Sequence, residues 1–347
     1  MEEEKYMRRC IQLAQNGLCN TAPNPMVGAV IVCDGKIIGE GYHIRCGEAH
    51  AEVNAIRSVK EPSLLKRSTI YVSLEPCAHY GKTPPCADLI IEKQIPRIVI
   101  GCQDPFAKVA GRGIQKLKDA EREVIVGVLE EDCKNLIRRF VTFHSLHRPY
   151  ITLKWAESAD KHIDKCRKDG KPVILSTPLT SMLVHKRRAE HSAIMVGTHT
   201  AELDNPSLTV RNWQGQSPVR IVIDRQQRLS PSLHLFDDSI RTLVFTGQPH
   251  AAFPNTEYIV IDFQQNILPQ IMQHLYAQGL QSLLVEGGSY LLQSFINAEL
   301  WDEIFVEESP LKLFSGVKAP EIGNKIPYVN EQYFGRNFRH YIATRLG

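Results

Sequence analysis

The sequence alternates between apolar patterns typical of helices and of strands, and this alternation occurs twice along the chain. A hairpin signal at Asp34-Gly35 lies between the β-rich runs VGAVIV and KIIGEG. From Ala49 onward, helical and strand patterns follow each other in turn. A second series begins with PYITLKWAES and continues through VRIVIDR, RTLVFTG and SLLVEGG. Such alternation predicts a layered α/β architecture with mostly parallel strands.

Two domains are predicted, because 347 residues exceed what one ordinary core accommodates. We place the boundary at a linker around His147, which divides the chain into residues 1–146 and 147–347. In the second domain, Thr177 is expected to cap a helix that has Pro178 at its first position. SAIMVGTHT is expected to form one strand, and LEEDCKNLIRRFVTFHSL, near the end of the first domain, one helix.

The charge and the cysteine content exclude several classes of function. A net charge of +3 is too small and too dispersed to indicate a nucleic-acid surface. The longest apolar runs are strand-sized, and acidic residues stand where a signal peptide is basic, so we expect no membrane segment and a cytoplasmic protein. Nine cysteines, with the last at Cys166, predict free thiols rather than a disulfide framework.

A group of potential metal ligands lies in the first domain. PCAHYGKTPPC contains Cys77 and Cys86 with eight residues between them, and HAEV supplies His50 and Glu52 upstream. This order matches the zinc-deaminase signature, although the spacing to the second cysteine is longer. One imidazole and two thiolates leave a fourth position on zinc for water, and a carboxylate that is not a ligand can move the proton.

The same residues would also fit roles without catalysis. A closed structural zinc site requires a fourth ligand, for which His79 and His43 are the candidates. A zinc-stabilised module that binds without turnover would have the same ligands. Any one cysteine, taken alone, is more often a buried thiol. The whole set, placed at junctions between predicted strands and helices, favours zinc-dependent hydrolysis.

In the second domain, a glycine turn is the best candidate for a phosphate site. No G-x-G-x-x-G motif follows a predicted strand, so the sequence does not support a dinucleotide-binding fold of that type. Glu286-Gly287-Gly288-Ser289 instead joins a predicted strand to a predicted helix. Glycine allows the backbone to approach closely, and the free N–H groups of a helix N-terminus attract an anion.

Longer motifs resemble those of one known family. HAEV, EPCAHYGKTPPC and CQDPFAKVAGRG, preceded by APNPMVGAVIV, are similar to motifs in the deaminase half of the bifunctional riboflavin-biosynthesis deaminase/reductases. TAELDNPSLTVR, PVRIVIDR and LLVEGGSYLLQSF resemble motifs of the reductase half, in the same order. The resemblance implies a cytidine-deaminase-like α/β/α domain followed by a dihydrofolate-reductase-like α/β domain. It further implies Zn²⁺ and NADPH as cofactors, a small-molecule substrate and a homo-oligomer.

The resemblance also implies two successive reactions. The first removes the 2-amino group of 2,5-diamino-6-(5-phosphoribosylamino)pyrimidin-4(3H)-one by hydrolysis, and the second uses NADPH to reduce the ribosyl group to ribityl. The alternative is a deaminase of another base, nucleoside or tRNA whose C-terminal domain is not a reductase. The lack of a basic aromatic surface argues against the tRNA version.

Residue roles are implied by the same resemblance. The zinc ligands would be His50, Cys77 and Cys86, with Glu52 as the proton shuttle. The residues implied to contact the pyrimidine substrate or its phosphate are Asn24, His43, His79 and Lys82. The residues implied to contact NADPH are Ala156, Thr200, Asp204, Gly288 and Ser289. The residues implied to contact the reductase substrate are Arg188, Leu208, Arg211 and Glu286.

The chain departs from the family pattern after the first strand of the second domain. The family commonly has S-L-D-G there, whereas this chain has Ser158-Ala159-Asp160-Lys161, and CRKDGKPVILS lacks the Trp-Thr pair usual in the next loop. Loss of the glycine predicts a different local backbone geometry. Arg225, just beyond the strand VRIVID, is a candidate for contact with the 2′-phosphate of NADPH.

Overall fold

The structure is a computed structural model that describes residues 2–80, 84–105, 111–167, 171–251, 253–323 and 326–343. The chain forms two compact units, Met1–His147 and Arg148–Gly347, a division one residue beyond the predicted boundary. Each unit has its own sheet and its own core. In this described part of the chain, no helix is both long and apolar enough to cross a membrane.

The first unit contains one five-stranded sheet, whose strands are β1 (Gly28–Cys33), β2 (Lys36–Tyr42), β3 (Thr69–Leu74), β4 (Arg97–Cys102) and β5 (Glu123–Val126). Its helices are α1 (Glu2–Gln15), α2 (Ala51–Ser58), α3 (Cys86–Glu92), α4 (Arg112–Asp119), α5 (Glu130–Leu136) and α6 (Arg138–Leu146). The strand order is β2-β1-β3-β4-β5, with β3, β4 and β5 parallel. The predicted hairpin is confirmed, since Asp34 and Gly35 join β1 to β2 with φ of 52° and 74°.

Side chains alternate between the two faces of this sheet, so each face builds its own core. Ala29 and Ile31 of β1 pack with helices α2, α3 and α4. Val30 and Val32 of the same strand pack with α1 and with Cys133 of α5 on the opposite face. The unit is therefore a three-layer α/β/α structure, as the sequence predicted.

The second unit contains a nine-stranded sheet and a separate two-stranded one. The strands are β6 (Tyr150–Glu157), β7 (His162–Asp164), β8 (Ala193–Val196), β9 (Val219–Ile223), β10 (Thr242–Thr246), β11 (Thr256–Val260), β12 (Ser282–Gly287), β13 (Glu303–Glu308), β14 (Val317–Lys318), β15 (Tyr328–Tyr333) and β16 (Arg336–Ile342). The helices are α7 (Pro178–Ala189), α8 (Thr198–Asp204), α9 (Ile267–Ala277) and α10 (Ser289–Asn297). The large sheet has the order β11-β10-β9-β8-β12-β6-β13-β16-β15. Its strands are parallel as far as β13, and β16 pairs antiparallel with both neighbours.

The predicted start of α7 is confirmed. The Thr177 hydroxyl accepts a hydrogen bond from the N–H of Thr180 at 3.1 Å, and the Thr180 hydroxyl accepts one from the N–H of Thr177 at 2.9 Å. This reciprocal capping box satisfies N–H groups that have no partner inside the helix. Pro178 occupies the first helical position.

Three local features differ from the sequence prediction. SAIMVGTHT is not one strand, because β8 ends at Val196 and Gly197, in extended conformation, precedes α8. The predicted long helix is divided at Ile137, whose φ of −101° and ψ of 13° are not helical. The hairpin of β15 and β16 has no counterpart in the prediction, because β15 is exposed on both faces and lacks apolar alternation.

A buried ion pair fixes the start of the second unit. Arg148 donates two hydrogen bonds to the carboxylate of Asp302, at 2.6 and 2.8 Å. The two side chains are only 10% and 7% exposed. Asp302 also accepts the backbone N–H of Ile151 at 2.7 Å. Since Arg148 precedes β6 and Asp302 precedes β13, the pair joins the starts of two neighbouring strands.

Replacing Asp302 with Ala leaves the Arg148 guanidinium buried without its partner. We expect the free energy of unfolding of the second unit to fall by about 3–5 kcal/mol. Arg241→Ala, which removes an exposed pair with Glu257, should cost no more than about 1 kcal/mol. Tryptophan fluorescence during urea unfolding measures this unit alone, because all three tryptophans of the chain lie in it. Equal losses in the two variants would contradict the prediction.

Candidate active sites

In the first unit, the three predicted zinc ligands converge near the carboxyl end of β3. His50 immediately precedes α2, Cys77 lies in the loop after β3, and Cys86 is the first residue of α3. Their ligand atoms all lie within 4.8 Å of one another. The Nδ1 atom of His50 is 3.7 Å from the sulfur of Cys77 and 3.4 Å from the sulfur of Cys86. The fold thus assembles one donor group from three separate segments.

The donor set and its spacing fit a tetrahedral zinc ion. Zinc bonds of about 2.3 Å to sulfur and about 2.0 Å to nitrogen place the two kinds of ligand roughly 3.5 Å apart. The two nitrogen–sulfur distances, 3.4 and 3.7 Å, bracket that value. Among the described residues, no further His, Cys, Asp or Glu joins the group. A three-ligand set that leaves one position open is typical of catalytic zinc sites.

His43 and Asn24 adjoin the predicted zinc ligands and do not add a fourth one. The Nδ2 group of Asn24 donates to Nε2 of His43 at 3.1 Å, and Nδ1 of His43 lies 3.1 Å from the carbonyl oxygen of Ala49. The ring of His43 packs edge-on against that of His50, with centroids 5.4 Å apart. Burial lowers the pKa of His43. Because both of its ring nitrogens have partners, His43 is disfavoured as a fourth ligand and instead orients the Asn24 amide.

The structure does not bring the third predicted substrate contact of this unit, His79, into the metal group, and it does not describe the fourth. His79 is exposed and does not belong to the cluster of ligand atoms. Lys82 lies outside the described residues. Both roles therefore stay predictions, and His79 is disfavoured as a structural fourth ligand.

Glu52 is a buried carboxyl group beside the ligands. It lies in the first turn of α2 and is 3% exposed. Burial raises the pKa of Glu52 to about 7, and the charge of Cys77 adds to this rise while His50 opposes it. The Cys86 thiol and then His50 lower the pKa of Cys77 against the effect of burial. A carboxyl group whose pKa is near 7 can take up and release a proton at neutral pH.

In the second unit, a cleft with a volume of about 1620 Å³ lies at the carboxyl ends of parallel strands. Residues from the segments that follow β6, β8 and β12 line it. A Cβ atom at Gly288 would lie 3.0 Å from the hydroxyl of Thr200, so the turn after β12 approaches α8 closely. The lining includes every residue predicted to contact NADPH, namely Ala156, Thr200, Asp204, Gly288 and Ser289.

Two residues predicted to contact the reductase substrate are paired with each other. Arg188 donates to both carboxylate oxygens of Glu286, at 2.9 and 2.7 Å. Burial by itself raises the pKa of Glu286, but Arg188 outweighs burial and the net pKa is lowered. Arg188 also donates to the carbonyl oxygen of Thr209, whose hydroxyl accepts from Arg211. Leu208 has its side chain in the core, so it offers a ligand mainly its backbone.

Lys154 lines the same cleft and is absent from the predicted site residues. Its neighbours in the strand, Leu153 and Trp155, face the core on the other side of the sheet. Burial lowers the pKa of Lys154, while the carboxylates of Glu286 and Glu307 oppose that change. A single lysine within the apolar strand ITLKWA is the sequence signal that points to it.

Comparisons with known proteins match both units. Residues 1–102 match the cytidine and deoxycytidylate deaminase zinc-binding region, and residues 149–314 match the RibD C-terminal domain. The riboflavin biosynthesis proteins RibD of Bacillus amyloliquefaciens and Escherichia coli are each 36% identical to this chain, over 92% of its length and 87% and 90% of theirs. The chain belongs to the RibD family.

Solved structures of this family have the same fold over nearly the whole chain. One is a diaminohydroxyphosphoribosylaminopyrimidine deaminase/5-amino-6-(5-phosphoribosylamino)uracil reductase from Thermotoga maritima, with a TM-score of 0.89, 37% identity and 98% coverage of both chains. RibD of Acinetobacter baumannii matches with a TM-score of 0.88, 30% identity and 99% coverage of both chains. The predicted family and fold class are confirmed. A C-terminal domain that is not a reductase is not favoured.

Lys161 stands where the RibD pattern has glycine, yet the backbone adopts the conformation that favours glycine. Its φ is 62°, in the left-handed region. The predicted change of local geometry relative to the family stays a prediction. The Lys161 ammonium lies 2.6 Å from Glu157 and 3.5 Å from Glu308, and Asp160 accepts two backbone N–H groups from the 311–316 loop. These contacts hold a lysine where a glycine is easier to accommodate.

Two arginines other than Arg225 line the cofactor cleft. Arg225 is exposed, its guanidinium lies over the ring of Phe263, and it is not among the residues that line the cleft. Arg167 and Arg228 do line it, and Arg167 lies 2.5 Å from the carboxylate of Asp204. A contact between Arg225 and the 2′-phosphate stays a prediction, and Arg167 is the cation paired with a predicted cofactor residue.

The metal group makes a direct prediction about zinc content. The purified chain should hold one zinc ion, and Cys86→Ala should lose it because two protein ligands bind zinc much more weakly than three. Cys166→Ala removes an exposed cysteine and should keep the metal. Elemental analysis of desalted protein measures both. One zinc ion per chain in Cys86→Ala would contradict the assignment.

Proposed function

We propose that this chain deaminates 2,5-diamino-6-(5-phosphoribosylamino)pyrimidin-4(3H)-one in its first unit and reduces the ribosyl group of the product with NADPH in its second. The observation that carries the proposal is the three-ligand metal group beside Glu52, in a chain whose second unit matches the RibD C-terminal domain. The Thermotoga maritima relative is described as a deaminase and reductase of such compounds. The product of the first step, 5-amino-6-(5-phosphoribosylamino)uracil, is the substrate of the second.

Glu52 moves the proton during deamination. A zinc ion bound by the three ligands supplies a Lewis acid that lowers the pKa of water. The Glu52 carboxylate takes a proton from the attacking water and gives it to the departing amine, so the C–N bond breaks, ammonia leaves and the carboxylate is regenerated. Burial raises the pKa of Glu52 above its usual range, which favours return of the proton to the amine. The Asn24 amide, oriented by His43, offers a donor and an acceptor to the pyrimidine edge.

The cleft of the second unit combines a site for the cofactor with charged side chains. NADPH, when bound, supplies the hydride that reduces the ribosyl group. The close approach at Gly288 and the N–H groups at the start of α10 suit the cofactor's phosphates. Lys154 lies on β6, which pairs with the β12 strand that carries Glu286. We assign to Lys154 the proton that accompanies the hydride, because burial lowers its pKa and so eases release of a proton. Arg188 holds the Glu286 carboxylate in a fixed orientation.

Two variants should separate the activities. Glu52→Gln should lower ammonia release by about 10²–10⁴-fold while zinc content and reduction of supplied 5-amino-6-(5-phosphoribosylamino)uracil stay unchanged. Arg188→Ala should lower reduction of the supplied uracil and leave ammonia release unchanged, because Glu286 loses both guanidinium hydrogen bonds. Ammonia release and the absorbance of NADPH are followed in the same purified protein.

Each outcome of that assay has a defined meaning. Normal ammonia release by Glu52→Gln would refute its role as proton shuttle. A wild-type chain that releases ammonia but oxidises no NADPH with the supplied uracil would refute the reductase half of the proposal. A chain that binds zinc and does neither would favour a binding module without turnover.

We also propose that the protein is a homo-oligomer that acts in the cytoplasm. β15 is an edge strand of the nine-stranded sheet, and its Tyr328, Val329 and Tyr333 are 48%, 59% and 41% exposed. An exposed apolar edge favours pairing with a second copy about a two-fold axis. A reducing compartment suits the cysteines, all nine of which lie in the described residues without forming a disulfide.

Val329→Lys places a charge on this edge and should convert the oligomer to monomers. Val260→Lys is the matched control, because Val260 is 53% exposed in β11 at the opposite edge of the same sheet. Light scattering coupled to size-exclusion chromatography gives both masses. A monomeric wild type, or an oligomer that survives Val329→Lys, would contradict the proposed interface.

A further inference from the structure

Glu75 is a buried carboxylate that does not belong to the metal group. It is 4% exposed, follows β3 directly and precedes Pro76 and Cys77. Its own N–H donates to the carbonyl oxygen of Cys102 at 3.0 Å, so it lies where the neighbouring strands β3 and β4 end together. It is the first residue of the EPCAHYGKTPPC motif, and it is absent from the predicted site residues.

The carboxylate of Glu75 accepts four backbone N–H groups. Its Oε2 atom accepts from Asp104 and Gly111, at 3.2 and 3.0 Å. Its Oε1 atom accepts from Gly113 and Ile114, at 2.8 and 3.2 Å. The first pair belongs to the connection between β4 and α4, and the second pair belongs to the first turn of α4. Hydrogen bonds to an ionised acceptor are about twice as strong as neutral ones, so this carboxylate is a firm tie between β3 and α4.

The start of α4 also packs directly against the peptide that leads to Cys77. A Cβ atom at Gly113 would lie 1.9 Å from the carbonyl oxygen of Pro76 and 3.2 Å from Oε1 of Glu75. Only a residue without a side chain fits this approach. On the other side, the N–H of Cys86 points at the sulfur of Cys77 at 3.3 Å. Cys77 is therefore held between α3 and the segment that α4 fixes.

We propose that Glu75 is a positioning residue for zinc binding and deamination, which holds Pro76 and Cys77 where the Cys77 sulfur meets His50 and Cys86. The part that concerns deamination rests on the proposed function. Both oxygens of Glu75 are in use, so glutamine is a poor substitute. Whichever way a glutamine amide turns, its NH₂ group faces one pair of N–H donors and leaves them without an acceptor.

Glu75→Gln in the full-length chain should weaken zinc binding by about 10–100-fold, the loss typical when an outer partner of a metal ligand is removed. Competition with a chromophoric chelator measures this affinity without any turnover. At saturating zinc, kcat for ammonia release should fall while KM changes less, because the substrate contacts are not altered. Glu61→Gln, at an exposed site of the same unit, should match the wild type. NADPH oxidation with supplied uracil substrate should be normal in both variants and reports an intact second unit.

Gly113→Ala tests the same contact from the opposite side and should lower zinc affinity in the same direction. Wild-type zinc affinity and kcat in Glu75→Gln would overturn the proposal. The proposal would also be overturned if Glu75→Gln lost activity only at temperatures at which it unfolds. Glu75 would then stabilise the fold without positioning Cys77. If circular dichroism shows that Glu75→Gln does not fold its first unit, Gly113→Ala decides: wild-type affinity in that variant overturns the proposal. Failure of the proposed function is distinct, because the wild type itself would then release no ammonia.

Discussion

Both candidate active sites depend on buried carboxylates, whose removal from water must be offset by hydrogen bonds or by a paired cation. A carboxylate removed from water is costly unless it is paired or hydrogen-bonded. Glu75 has four backbone N–H partners, Glu307 accepts two hydroxyl groups, and Glu286 has a guanidinium. Burial and the charge of Cys77 raise the pKa of Glu52, and the opposing effects of His50, a backbone N–H and Cys86 do not cancel that rise. Glu52 is therefore the carboxyl group of this set whose pKa lies close to neutral pH.

The same residue type therefore takes different roles in one chain because its surroundings differ. Glu75 and Glu286 are fixed acceptors, and each holds another group in place: the turn before Cys77 in one unit and the guanidinium of Arg188 in the other. Glu52 is the carboxyl group for which we propose proton exchange, because burial raises its pKa to about 7. The surroundings of each glutamate, and not its residue type, decide whether it holds another group in place or is suited to carry a proton.

Sequence signals predicted most of the fold and the metal group because those signals are local. The turn at Asp34-Gly35, the cap at Thr177 and the alternating strands each depend on residues a few positions apart. Glu75 gave no such signal, since its amide partners lie 29 to 39 positions away and a glutamate at a strand end is common. At Lys161 a local rule predicts glycine, because the backbone is in the left-handed conformation. The sequence alone does not show the ion pairs with β6 and β13 that accommodate a lysine there. The exposed strand β15 could not be found by any rule based on burial.

The tie between Glu75 and α4 also has a consequence for the order in which the chain is made. The growing chain contains all three predicted zinc ligands once Cys86 has been added to it. Helix α4, whose N–H groups bind Glu75, ends only at Asp119. A growing chain thus has a complete donor set before it has the segment that holds Cys77 in place. If the chain folds from its N-terminus as it is made, the ion can bind to the three donor residues before α4 holds Cys77 in place. The donor set and the segment that holds Cys77 both belong to the first unit, so both steps use residues of the deaminase half.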